Sequence, residues 1–123
     1  MAQNIGIPFS QSTGGNPILI NTTASPGVLI HQSISEADFI YLWLSLTTPV
    51  SYTDYIYVIL TKGAPGIGYG IDSVIYVPPG KKIQVESGVL LTQSLSLHAS
   101  ISTSSSLTNV NVAASGYVHR RIQ

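Results

Sequence analysis

Residues 38–47, DFIYLWLSLT, alternate without a break: Ile40, Leu42, Leu44 and Leu46 fall on one side, Phe39, Tyr41 and Trp43 on the other. Side chains of a strand project alternately to its two faces, so this segment is a strand with one aliphatic and one aromatic face. A half-buried strand normally turns a polar face to water. Here neither face is polar, which requires a core on one side and some cover on the other. Residues 55–61 repeat the pattern, with Ile56, Val58 and Leu60 opposite Tyr55, Tyr57 and Ile59. The short connection between the two segments predicts a hairpin that gathers Phe39, Tyr41, Trp43, Tyr55 and Tyr57 into one ring-bearing patch.

The remaining chain reads as strands and turns, with no convincing 3.6-residue period. Ile18–Thr22 is a short strand closed by Ser25-Pro26-Gly27. Val28–Ile34 follows, with Val28, Ile30, Gln32 and Ile34 on one face and Leu29, His31 and Ser33 on the other. Ile71–Val77 ends at Pro78-Pro79-Gly80, and Lys81–Glu86 is short. Val89–Ser102 reads as one long strand, with Val89, Leu91, Leu95, Leu97, Ala99 and Ile101 inward and a hydroxyl-coated outer face that carries His98. Residues 109–122 close the domain with Val110, Val112, Ala114, Gly116 and Val118 on one face, where Gly116 suggests a bulge. About eight strands at roughly ten-residue spacing predict an all-β fold, a single antiparallel β-sandwich or jelly roll. Residues 1–17 read as an extended, flexible N-terminal arm, rich in Gln, Asn, Ser and Gly, that is either disordered or ordered on a neighbour through Ile5, Ile7, Pro8 and Phe9. The sandwich domain then spans 18–123.

Composition narrows the function. Only 8% of the 123 residues are charged and the formal net charge is +0, against about 25% charged in an average domain. Nucleic-acid binding needs a basic track, and Lys81-Lys82 and Arg120-Arg121 read as solvated strand ends. Cysteine is absent, which removes disulfides, thiolate metal sites and cysteine nucleophiles. The chain has no apolar run of the ~18 residues that span a bilayer and no signal-peptide pattern, so it is expected to be made in a cytoplasm. A mean hydropathy of +0.32 points to buried contact surfaces and to oligomerisation as a source of robustness.

No catalytic motif stands out. His31, His98 and His119 have no metal-ligand spacing among themselves, and His31 and His98 read as solvated residues on polar strand faces. Glu36, Asp38, Asp54, Asp72 and Glu86 lie at or near strand ends or turns, where carboxylates serve turn hydrogen bonds. Residues 63–70, GAPGIGYG, read as a flexible surface loop, because neither Lys-Ser/Thr nor a helix follows as phosphate binding requires. The expectation is a non-enzyme with no cofactor and no metal. Because a two-layer sandwich gives each sheet one inward face, the ring-bearing side is expected to meet another protein, with the arm as an internal alternative cover. A carbohydrate platform is a third reading, weakened by the lack of accompanying acids or amides.

Several segments together resemble a known group. GVLIHQS (27–33), the aromatic and aliphatic strand pair, the Ile75–Gly80 turn IYVPPG, VLL (89–91), LSLHASIS (95–102) and VNVAASGYVHRRI (110–122) are similar to small virion structural proteins of tailed bacteriophages. The terminal pattern Gly116, Tyr117, Val118, Arg120 or Arg121 and Ile122, preceded by Leu97, His98, Ala99 and Ser100, carries the likeness over about residues 27–122. The doubled arginine departs slightly from it. The resemblance implies a capsid decoration (cement) protein on the virion surface. It further implies the major capsid protein as partner, a homo-oligomer with a trimer favoured, the aromatic face as subunit contact and residues 1–17 on the capsid. The alternative is a receptor- or glycan-binding module of a phage tail, fibre or spike.

Overall fold

The computed structural model describes residues 3–12, 15–33, 37–47, 55–85, 89–92, 94–103 and 110–122. Ile34, Glu36, residues 48–54 with Asp54, Glu86 and residues 104–109 lie outside the described residues. Within them the chain is all-β, with ten strands and no helix: β1 (Gln3–Ile7), β2 (Ile18–Ile20), β3 (Val28–Gln32), β4 (Asp38–Leu46), β5 (Ile56–Ala64), β6 (Gly68–Tyr76), β7 (Lys82–Gln84), β8 (Val89–Leu91), β9 (Ser96–Thr103) and β10 (Val112–Ile122).

The strands form two antiparallel sheets. In the first, β10 lies between β4 and an edge shared by β1 and β2, while β7 and β8 share the far side of β4. The second has the order β3-β9-β5-β6. Counting β1 with β2 and β7 with β8 as the two halves of split edge strands gives two four-strand layers. Apart from the β5–β6 hairpin within the second sheet, successive strands cross between these layers in the order of a jelly roll. The expected eight strands are therefore present, two of them in two pieces.

The inward rows are the ones the alternation marks. Ile40, Leu42 and Leu44 from the first sheet are fully buried, as are Val58 and Leu60 from the second, and Ile56 is 1% exposed. Val110, Val112, Ala114 and Val118 from the last strand region, with Leu97 and Ala99 from β9, complete the same core cluster. Each large buried aliphatic side chain contributes about 1.5–3 kcal/mol from loss of water contact, so these rows hold the two layers together.

Several expectations are corrected. β4 and β5 are not a hairpin: β4 pairs with β10, β7 and β8, whereas β5 pairs with β6 and β9 in the opposite sheet. Their aliphatic rows point toward the shared interior, and both inner faces are filled only because the strands are in different layers. Val89–Ser102 is likewise two strands. Ser94 takes a left-handed conformation (φ 67°) and Leu95 N–H donates to the Thr92 carbonyl at 3.2 Å, so the chain turns from the first sheet into the second. Residues 63–70 form the tip of the β5–β6 hairpin rather than a loose loop, and Ile67 N–H closes the turn on the Ala64 carbonyl at 3.1 Å.

The N-terminal segment is extended but does not stand apart. β1 runs antiparallel along β10, from Gln3 opposite Ile122 to Ile7 opposite Val118. Ile7 packs against the core and Phe9 is 2% exposed within it, while Pro8 is exposed; the side chain of Ile5 lies outside the described residues. The physical reason is twofold. β10 is long enough to leave a bare edge beyond β2, and Phe9, with Ile7 beside it, gives the segment apolar side chains that enter or pack on the core.

Gly116 marks no bulge, for the β10–β4 register runs unshifted from Val112 to Arg120. The residue is required by close approach: with φ +144°, a Cβ there would lie 2.0 Å from the Tyr41 carbonyl oxygen. Bulges occur instead in β3 and β6, the two edge strands of the second sheet, between Leu29 and His31 and opposite Leu60/Thr61. Bulges on edge strands disrupt the regular array of unpaired backbone groups that would otherwise invite indiscriminate pairing.

Candidate functional site

The structure separates the predicted ring patch into two outer faces on opposite sides of the sandwich. On the first sheet, Phe39, Tyr41 and Trp43 of β4 are half-buried and stand beside β10, where Tyr117 is opposite Tyr41 and His119 opposite Phe39. The rings form a continuous run. Phe39 and Tyr41 have centroids 5.3 Å apart, Tyr41 stacks on Tyr117 at 5.1 Å, and Trp43 reaches Tyr117 at 6.1 Å. Leu90 and Leu19, 47% and 51% exposed, flank the run on the neighbouring strands. Offset and tilted rings at such separations attract one another beyond their area burial, so the platform is partly self-supporting while Tyr117 stays 44% exposed. Tyr117 and His119 belong to this face and were not predicted for it; the alternation of β10 opposite Val112, Ala114 and Val118 would have placed them there.

On the second sheet, Tyr57 lies between Tyr55 and Tyr76 of β6, with the Tyr55–Tyr57 and Tyr57–Tyr76 centroids both 5.7 Å apart. The neighbouring β9 row is less wet than expected. Ser96 and Ser100 are 2% and 3% exposed, because β9 is flanked by β3 and β5, and Ser96 Oγ donates to the Gly63 carbonyl at 2.9 Å. His98 is half-buried against the edge of the Tyr69 ring, 5.3 Å away. Burial pushes its pKa down from the ordinary histidine range by penalising the charged form.

A third feature escaped the sequence reading. His31 is 1% exposed and Asp38 fully buried, so neither is the solvated or turn-bound residue expected of it. The Arg120 guanidinium grips Asp38 with two parallel bonds, Nε to Oδ1 at 2.7 Å and Nη2 to Oδ2 at 2.8 Å. His31 Nε2 lies 2.7 Å from Asp38 Oδ2, and Ser10 N–H donates to His31 Nδ1 at 3.0 Å. With Nδ1 accepting, the neutral ring carries its proton on Nε2 and donates it to the carboxylate. Burial alone would raise the Asp38 pKa, but the hydrogen bonds and charge of Arg120, with the His31 bond, hold it below the usual carboxylate range.

Two local devices build this cluster. Asp38 and Arg120 continue the inward rows of β4 and β10 and are directly opposite one another. The β3 bulge at Ile30 lets both Ile30 and His31 turn inward. The cluster therefore ties β3 of one sheet to β4 and β10 of the other, with the backbone of the N-terminal segment as fourth member. Since His31 and Asp38 are closed to solvent, the arrangement acts as a structural lock. Lys62 makes a smaller tie, 3.2 Å from Asp72 and 3.4 Å from the Leu90 carbonyl of β8, so Asp72 sits within β6 rather than in a turn. Arg120 is thus an ion-pair partner, whereas Lys81 and Lys82 are exposed as expected. Among the described residues no group of three or more His, Cys, Asp or Glu could hold a metal ion.

Compared with known proteins, the chain matches no family model, no curated protein and no solved structure.

Proposed function

We propose that this chain is a structural virion protein that decorates and stabilises a bacteriophage capsid through protein–protein contacts, with the major capsid protein as partner. The observation that carries the reading is the Phe39–Tyr41–Tyr117–Trp43 platform on the outer face of the first sheet. The inner face of that sheet is already filled with core, so these rings have no further use within the fold. Aromatic residues are the ones enriched at the centres of protein interfaces. The near absence of charge on a jelly-roll sandwich suits a molecule that spends its life packed against neighbours, and jelly rolls recur in viral capsid domains, an analogy of fold alone. In this reading the platform is seated on the shell. The arm expected to lie on the capsid is folded back onto β10 as β1, which moves the shell contact from residues 1–17 to the sheet face.

The test is copy number and shell binding. Quantitative mass spectrometry of purified particles should find the chain in hundreds of copies per virion, and Tyr117→Ala with Trp43→Ala should weaken binding to shells that lack it. A handful of copies would place it in a tail, fibre or spike, and absence from particles would overturn the proposal.

A further inference from the structure

The outer face of the second sheet is built differently from the first, and the bulge in β6 explains how. Tyr76 and Val74 are opposite Tyr57 and Ile59 on the outer side. Strict alternation from there would send Ile71 and Tyr69 inward and Asp72 and Gly70 outward. The register shift makes Asp72 the additional residue, so Ile71 pairs with Thr61 and Tyr69 with Gly63, both on the outer side. Tyr69, Ile71, Val74 and Tyr76 therefore share one face that an unbulged strand would have divided. They are 43%, 68%, 55% and 44% exposed, and Tyr55 beside them is 48% exposed. Left in water this is an expensive arrangement, and the bulge creates it.

We infer that this face is a two-fold interface with a second copy of the same chain. Three observations favour that occupant. With large side chains of about 200 Å² each, the five exposed residues present about 500 Å² per copy, so a symmetric pair would bury about 1,000 Å², the lower bound of a specific interface and the size of a weak, reversible one. Next, the surface is neutral: the only charged side chains of β5 and β6 are Lys62 and Asp72, which pair with each other within the copy. No charged partner is being recruited, and with a net charge of +0 two copies approach without repulsion. Finally, Tyr, Ile and Val side chains are mutually complementary, so the same patch can meet itself about a two-fold axis. The sheets then stack face to face as two layers of a sandwich do. This interface stands apart from the first-sheet platform, so it holds whether or not that platform meets a shell.

Sedimentation velocity and light scattering over a dilution series of the full chain test it. The expected result is a reversible dimer with a dissociation constant on the order of 10 µM. Val74→Arg or Ile71→Arg should raise that constant more than about tenfold with an unchanged far-ultraviolet spectrum, whereas Tyr117→Arg on the other sheet should not. Trp43, the chain's single tryptophan, lies on the first sheet, so its emission maximum should stay constant through the dissociation midpoint. A wild-type chain that remains monomeric at ~100 µM, well above the expected constant, would overturn the inference, as would a dimer insensitive to both arginines. A Trp43 shift on dissociation would overturn it too, by moving the contact to the first sheet. The mass series and the Trp43 readout need no substitution, so a variant that failed to fold would not protect the idea. Shell binding is measured separately, which keeps failure of this interface distinct from failure of the capsid reading.

Discussion

Asp38→Asn is the most informative single change, because Asp38 is fully buried and receives hydrogen bonds from residues of two other strands. The substitution keeps the shape of the side chain and removes its charge. Arg120, 19% exposed at its side chain, then loses the charge of the Asp38 carboxylate, and one oxygen that accepted hydrogen bonds becomes a donor amide. Breaking a buried ion pair by removing one partner costs about 3–5 kcal/mol. Arg120 retains some access to water, which favours the lower part of that range, ~3 kcal/mol. For a chain of this size a change of that order should lower the thermal midpoint by roughly 10 °C. The assay is urea unfolding at pH 7 followed by Trp43 fluorescence. Combining the variant with Arg120→Met supplies a double-mutant cycle, in which the double variant should be less destabilised than the sum of the singles. The pH dependence gives a second signature. Asp38 has a folded pKa below its unfolded value, so its stabilisation is present above about pH 4 and is lost as pH falls through the folded value. The gap between wild type and Asp38→Asn should therefore shrink in acid. A variant within about 0.5 kcal/mol of wild type at pH 7, the range of an ordinary surface substitution, would refute the cluster as a lock.

The remaining predictions concern the N-terminus and the second sheet. Phe9→Ala should cost about 3–5 kcal/mol, as for other fully buried aromatic side chains. Deleting residues 1–17 should likewise lower the urea midpoint, by removing Phe9 and the Ser10 bond to His31; a truncated chain as stable as the whole would show that β1 and Phe9 contribute nothing to the fold. For His98, burial lowers the folded pKa, so the unfolded chain takes up more protons and stability should decline as pH falls below about 6.5. In His98→Gln the difference between midpoints at pH 7.5 and 5.5 should be smaller than in wild type, and an unaltered difference would assign that slope to other groups.

Much of this was written in the alternation of individual strands. The inward rows of β4, β5 and β10 are legible residue by residue, and the same period, read two positions further, places Asp38 and Arg120 on buried rows. A carboxylate and a guanidinium at the ends of two aliphatic rows are a signal that each has a partner, since a lone buried charge is too costly to keep. Alternation also separates Tyr117 and His119 from the core. His31 was not legible in this way, because the bulge at Ile30 inverts the side on which it falls.

The amino-acid order by itself therefore determined an all-β chain, the composition of its core and the presence of ring-bearing outer faces. The tertiary structure decided which strands are neighbours: β4 and β5 face each other across the interior instead of pairing, so one expected aromatic patch became two on opposite sides. It also set the bulges in β3 and β6 and drew residues 3–9 onto the domain. The reason is physical. A period of two reports what the faces of one strand are made of, whereas pairing, bulging and edge covering depend on which backbone edges and apolar surfaces remain unsatisfied once the other strands are in place.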